Sequence, residues 1–233
     1  MQKHGIKGLL RMVGDHFVRF ANKLRPSVRT EILARQQRAA DFDQRFGVDT
    51  GGWIHQTELN VNNPNQLHAG SYLGSDPKFF RDSIESLPID YRHFVFIDFG
   101  SGKGRAIMLA TEYSFKRVIG VEFSEDLHRI AQENIKRFPN SMSKCKDVEC
   151  ICIDAVAYPL PDDGLVCYFF NPFDATLMAQ VLSNIRASFL RKPREIFIVY
   201  YNPREGHLVN QVGCFQKVGA SGPVEIWRTT LES

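Results

Sequence analysis

The chain lacks the long apolar run of a membrane helix: no stretch approaches the roughly 18 consecutive apolar residues that cross a bilayer. Its start shows no succession of basic, apolar and small residues like that of a secretory signal. The five cysteines, at positions 145, 150, 152, 167 and 214, form no C-x-x-C pair and no even set, which argues against a zinc site and against a disulfide framework. A surplus of one charge is also missing. With 29 Lys and Arg against 26 Asp and Glu, the balance of +3 is too small to argue for nucleic acid by itself. Internal repeats and low-complexity tracts are absent, so a solenoid or a disordered chain is not expected. What is present is 233 residues, 43% hydrophobic and 24% charged, enough for one substantial core with an appendage. The reading is of a cytoplasmic protein.

The stretch from Phe94 to Glu122 carries the most information. Phe94 to Ile97 is an unbroken apolar run, as in a central parallel strand covered on both faces. It ends in Asp98 and leads into Gly100-Ser101-Gly102-Lys103-Gly104, where glycines at alternate positions allow a sharp turn and a close approach of backbone to ligand. A helix follows from Gly104, with Ile107, Met108 and Ala110 or Thr111 turned toward a sheet. Arg117 to Val121 gives the next strand, and Glu122 stands at its carboxyl end, where open α/β sheets bind ligands and a carboxylate can accept from a ribose diol.

Glycine spacing separates the rival pockets. The dinucleotide fingerprint G-x-G-x-x-G needs its third glycine one residue later than Gly104, at the position held by Arg105. A P-loop fails because its leading glycine position is Ile97 and Gly104 stands where Ser or Thr is required. A pyrophosphate favours bare N–H groups with no anion nearby, whereas Asp98 precedes the first glycine by two residues. An acid there suits a cation, such as the amino group of a methionine moiety.

Asp98 to Gly104 followed by Gly120-Val-Glu-Phe123 resembles motif I and the next acidic motif of class I S-adenosylmethionine-dependent methyltransferases. The resemblance spans roughly residues 90 to 230, and the same short segments are similar to the non-SET histone lysine methyltransferases. It implies S-adenosylmethionine as cofactor, with Asp98 facing the methionine amino group and Gly100, Ser101 and Gly102 forming the turn beneath methionine and ribose. It also implies Glu122 on the ribose and Phe123 against adenine. Val148 to Ile153 reads as the third strand, and Asp154 and Ala155 after it match the position that reads the adenine edge. A turn-forming or capping aspartate is the plainer alternative for Asp154.

The fourth strand, Leu165 to Phe170, ends in Asn171-Pro172-Phe173. In the family this strand end faces the activated methyl group, and the triplet resembles the [DNS]-P-P-[YFW] motif of methyltransferases acting on planar nitrogens, with one proline missing. Asn171, Pro172 and Phe173 are therefore the catalytic candidates, Asn171 also touching cofactor; Asn-Pro as a simple strand stop and helix start is the alternative. An ammonium acceptor must lose a proton, and Asn171 cannot take one. Tyr200, Tyr201 and Asn202, at the end of a fifth strand over 195–201, belong to the same sheet edge in the family arrangement.

The first 90 residues differ in character. Residues 1–45 hold ten Lys or Arg and four Asp or Glu, a balance of +6. Ile6, Leu9, Leu10, Val13, Phe17, Phe20 and Leu24 recur at helical spacing with basic residues off that stripe, and Pro26 ends the pattern. Three uses compete for this basic amphipathic helix: packing on the core or on a second subunit, contact with an anionic membrane surface, and contact with an acidic partner such as RNA. The first is the plainest. A second helix is expected over 27–40 and a loop over 41–75, in which Trp53, His55, Glu58, His68 and Tyr72 are available to the site and Tyr72 is the residue expected to touch cofactor. Asp76 and Pro77 open a helix that reaches Leu87.

Downstream, Ser124 caps a helix to Phe138 and Asp174 opens one to Leu190. Strands over 212–218 and 224–229 flank Gly219 to Pro223 as a hairpin. The expected fold is α/β: a doubly wound, mostly parallel seven-stranded sheet with an antiparallel last strand over 91–233, plus a helical and loop extension over 1–90. The expected activity is transfer of a methyl group to an unidentified acceptor, protein or small molecule, with an amine nitrogen such as a protein lysine as first choice. The alternatives are a cofactor-binding scaffold subunit without catalysis and an aminopropyl transferase.

Overall fold

The computed structural model describes residues 26–59 and 64–230. The amphipathic helix expected over residues 6–24 lies outside them. Helix α1 (Pro26–Phe46) continues past residue 40, where the sequence pattern placed its end. Phe42 and Phe46, one turn apart, explain the extension: their rings lie 4.9 Å from each other, and Phe46 lies 4.8 Å from Phe138. Burial of that aromatic trio outweighs the polar composition around it. The expected loop also holds a small antiparallel pair, β1 (Trp53–Ile54) with β2 (Tyr72–Leu73).

Helix α2 (Pro77–Glu85) starts where proline is tolerated, and Asp76 caps it by accepting from the Lys78 N–H at 2.8 Å. Then come β3 (Phe94–Phe99), α3 (Arg105–Thr111), β4 (Arg117–Glu122), α4 (Glu125–Arg137), β5 (Val148–Cys152), β6 (Gly164–Phe170), α5 (Ala175–Arg191) and β7 (Ile196–Tyr201). Ser124 and Asp174 cap α4 and α5 as expected. The chain closes with α6 (Gly206–Gln211), β8 (Phe215–Ser221) and β9 (Val224–Thr229).

The sheet has the order β5-β4-β3-β6-β7-β9-β8, parallel from β5 to β7, with β9 antiparallel to both of its neighbours. The strand order reverses between β4-β3 and β6, the switch point at which such sheets bind ligands at their carboxyl ends. Both faces are covered. Phe80 and Ile84 of α2 pack with Phe96 and Tyr168 on one side, and Leu177, Val181 and Ile185 of α5 pack with Ile97 and Phe169 on the other.

Three local expectations change. Helix α3 has no exposed face, since all seven of its residues are buried between the sheet, α2 and Phe42 of α1. Residues 206–211 form a helix that the pattern did not mark. The strand expected from Val212 begins at Phe215 and runs on to Ser221, so the turn shrinks to Gly222 and Pro223. Gly222 has φ +57° and proline follows it, which fits a two-residue type II′ turn and not type I′, because proline cannot take a positive φ. Among the described residues no helix is long and apolar enough to cross a membrane.

Candidate functional site

The glycine turn is bolted to the ends of two strands. Gly100 and Ser101 N–H groups both donate to the Val121 carbonyl, at 2.9 and 3.0 Å. Gly102 N–H donates to Glu122 Oε2 at 2.8 Å, while Glu122 Oε1 accepts from Ser124 N–H at 2.9 Å. The Glu122 carboxylate is thus aimed by backbone from both sides, and burial still raises its pKa above the ordinary range against the pull of those donors. At Gly102 only glycine serves: φ is +53°, and a β-carbon would overlap the ring of Tyr72.

Asp98 is 4% exposed, and among the described residues no hydrogen bond or ion pair reaches its carboxyl. Burial, helped by the charge on Glu122, pushes its pKa up to about 8. Close by, the buried Ser101 hydroxyl has no partner. A narrow cleft is lined by these groups together with Tyr72, Phe123, Pro172 and Phe173. It offers a buried carboxyl without its cation, a fixed carboxylate, an unpartnered hydroxyl and bare glycine backbone. That set fits a nucleoside carrying a cationic amino-acid arm, the ligand expected from the sequence. Asp98 can hold the ammonium, Glu122 the ribose diol and Phe123 the base.

Asp154 and Ala155 stand apart from this cleft. Asp154 Oδ1 accepts from Val156 N–H at 2.9 Å and Oδ2 from the Asn65 amide at 2.6 Å, a turn-forming arrangement, and Ala155 is buried in the core.

Arg105, Lys103 and Asn134, to which the pattern gave no role in the site, hold the turn in place together with Tyr72. Arg105, 2% exposed, donates to the Thr50 hydroxyl at 2.6 Å and the Ser75 carbonyl at 3.2 Å, with Asp43 at 3.5 Å. Lys103 reaches Asp49 and the Gly51 carbonyl, each at 3.0 Å. Asn134 accepts from Asp49 N–H at 2.9 Å and donates to the carbonyls of Asp49 and Lys103 at 2.8 and 2.9 Å. Tyr72 donates its hydroxyl to the Thr50 carbonyl at 2.7 Å. Residues 43–51 and 72–75 thereby clasp the glycine turn from outside. Of the other loop residues, His55 caps a 3-10 turn, and His68 pairs with Asp174 at 2.8 Å.

Residues 69–71, Leu73, Phe170 and Phe173 line both the cleft and a second, open cavity of about 610 Å³, so the two adjoin. Gly70 N–H donates to the Pro172 carbonyl at 2.7 Å, Asp174 N–H donates to the His68 carbonyl at 2.8 Å, and Ala69 bridges to Phe173. Asn171 lines the second cavity and not the cleft, whereas Pro172 lines the cleft and Phe173 touches both. Tyr200, its phenol pushed up to about 12 by burial, donates to Asn171 Oδ1 at 3.4 Å. The second cavity also contains Trp53, Asp174, Asn202, Arg204 and Glu205.

Comparison with known proteins agrees with this geometry. Residues 97–197 match the family model described as a methyltransferase domain. No curated protein matches the chain significantly. Among solved structures it is similar to a ribosomal protein L11 methylase from Lactobacillus delbrueckii subsp. bulgaricus, at 14% identity over 72% of this chain and 83% of that one, with a TM-score of 0.48. It is also similar to an RNA methyltransferase from Salinibacter ruber in complex with S-adenosyl-L-homocysteine, at 18% identity over 68% and 92% of the two chains, with a TM-score of 0.44. Scores and identities this low leave the acceptor open.

Proposed function

We propose that the chain, whose residues 97–197 match a methyltransferase domain, uses S-adenosylmethionine to methylate an amine nitrogen, that of a protein lysine before that of a small molecule. The observation that carries this reading is the second cavity, whose lining combines the polar Asn171, Asn202, Asp174, Arg204 and Glu205 with exposed apolar side chains. Trp53, Leu67 and Leu73 line it while 38%, 77% and 39% exposed, three of the six large apolar side chains that are exposed among the described residues. Exposed apolar groups gathered around one opening mark a contact surface. The apolar part of the lining suits the aliphatic stem of a lysine and its flanking chain, while the polar part suits the nitrogen.

When bound, S-adenosylmethionine supplies an electrophilic methyl group on a sulfonium whose sulfur keeps the bonding pair. In this reading Asp98 holds the cofactor's ammonium, Glu122 its ribose, and the glycine turn with Tyr72 excludes water from that side. Asn171 orients the acceptor, with its own carboxamide steadied by Tyr200. Of the two carboxylates in the cavity, Asp174 is committed to capping α5 and to His68. Among the described residues the Glu205 carboxylate pairs with the His207 ring alone, at 3.9 Å, and in this reading it takes the proton that an ammonium must lose before its lone pair is free. The remaining acceleration comes from positioning in a desolvated site.

The test is transfer of tritiated methyl groups into a cell lysate that is then separated into protein, RNA and small molecules. Label in protein, stable to base and recovered as methyl-lysine after acid hydrolysis, is expected. Label that is released by base or confined to RNA contradicts the amine reading.

A further inference from the structure

Strands β6 and β7 end in the same way. Phe169-Phe170-Asn171-Pro172 closes one and Tyr200-Tyr201-Asn202-Pro203 the other, and the register sets Phe170 opposite Tyr201. Asn171 (φ +47°) and Asn202 (φ +51°) are the only non-glycine residues with positive φ among the described residues. Left-handed backbone costs an L-residue free energy, and asparagine is among the few that take it up readily. One such residue is an ordinary strand stop. Two on adjacent parallel strands, each one residue beyond a paired position, bring two asparagines whose backbones belong to strands about 4.8 Å apart to the lining of one cavity.

We infer that Asn202 is a second acceptor-side residue, which with Asn171 forms a two-carboxamide seat for the amine nitrogen. This rests on the methyltransferase reading of the same site. The two carboxamides differ in what already holds them. Asn171 Oδ1 receives the Tyr200 hydroxyl, whereas among the described residues no side-chain hydrogen bond engages Asn202, which is exposed. Asn202 N–H instead donates to the Pro223 carbonyl at 2.8 Å, so the hairpin turn fixes its backbone and leaves the side chain for the acceptor. Glu205, three residues on, lines the same cavity. A seat built this way receives N–H hydrogens on carboxamide oxygens and passes the displaced proton to the neighbouring carboxylate.

Calorimetry with two cofactor analogues tests this without the natural acceptor. S-adenosylhomocysteine lacks the methyl group, and sinefungin carries a primary amine in its place, directed toward the acceptor side. The wild type is expected to bind sinefungin about tenfold more tightly than S-adenosylhomocysteine, since the amine is charged and its hydrogen bonds are strengthened accordingly. In Asn202→Gly, which keeps the left-handed backbone without strain, that ratio should fall at least threefold with the S-adenosylhomocysteine affinity and the unfolding midpoint held. Asn202→Asp should raise the ratio. An unchanged ratio in both variants overturns the seat while leaving cofactor binding intact. Failure of the wild type to bind either analogue overturns the methyltransferase reading and the seat with it.

Discussion

The ring of Tyr72 fills the space that a β-carbon on Gly102 would need, so the segment before α2 and the turn after β3 close one wall of the cleft together. Gly102→Ala should therefore lose both fit and backbone. The expected cost is about 1–3 kcal/mol of stability, with cofactor affinity reduced at least tenfold. Urea unfolding of Gly102→Ala, Tyr72→Ala and the double variant checks the cause. Removing the ring should make the glycine substitution less costly, leaving only the strain at φ +53°. Simple additivity of the two costs would contradict the contact.

Asp98 links stability to pH. Unfolded, an aspartate ionises near pH 4, whereas the folded carboxyl keeps its proton up to about 8. Above its unfolded pKa the unfolded chain therefore binds fewer protons than the folded one, and folded stability falls as pH rises from about 4 to about 8. Asp98→Asn should reduce that slope, leaving the part due to buried Glu122, and raise the unfolding midpoint at pH 8 by several degrees, at the expense of cofactor binding. Wild-type affinity should rise toward pH 8 with proton release on binding, because the ammonium needs the ionised form. Thermal melts across pH, and calorimetry in buffers of different ionisation enthalpy, read both effects.

Arg105 is the principal fastener of the extension. Arg105→Ala leaves Thr50, Ser75 and Asp43 without the buried cation that joins them, and the expected loss is about 3–5 kcal/mol in urea unfolding. Hydrogen exchange should show lost protection at 43–51 before any change in α5. Equal loosening of both regions would mean that Arg105 supports the whole fold and not the clasp.

Much of the central machinery was legible because local chemistry dictates it. The apolar strands, the alternate glycines, Asp98, Glu122 and the capping residues Asp76, Ser124 and Asp174 declare themselves within a few residues of sequence. What stayed hidden depends on distant partners. Phe42 and Phe46 fall in a stretch that reads as loop and become helix and core through contact with each other and with Phe138, and the burial of Arg105 depends on Asp43, Thr50 and Ser75. Asp154 reads first as an adenine-edge residue and second as a turn former, and its carboxylate accepts hydrogen bonds from Val156 and Asn65. The repeat of aromatic-aromatic-Asn-Pro at 169–172 and 200–203 was visible, but only the register of β6 and β7 makes it one site.

The proposed reading gives the proton-transfer role to Glu205, which lines the second cavity. Glu205→Gln should lower methyl incorporation into lysate protein by about 10- to 100-fold with cofactor affinity unchanged, and the remaining rate should climb with pH as the acceptor ammonium deprotonates unaided. A rate equal to wild type at neutral pH would remove Glu205 from that role.

Titration of the protein with S-adenosylmethionine by calorimetry, beside Asp98→Asn and with NAD as control, tests the central claim most directly. Micromolar binding of S-adenosylmethionine by the wild type, lost in Asp98→Asn and absent for NAD, is the expected result. No heat with S-adenosylmethionine, or equal binding by the Asp98 variant, would contradict it.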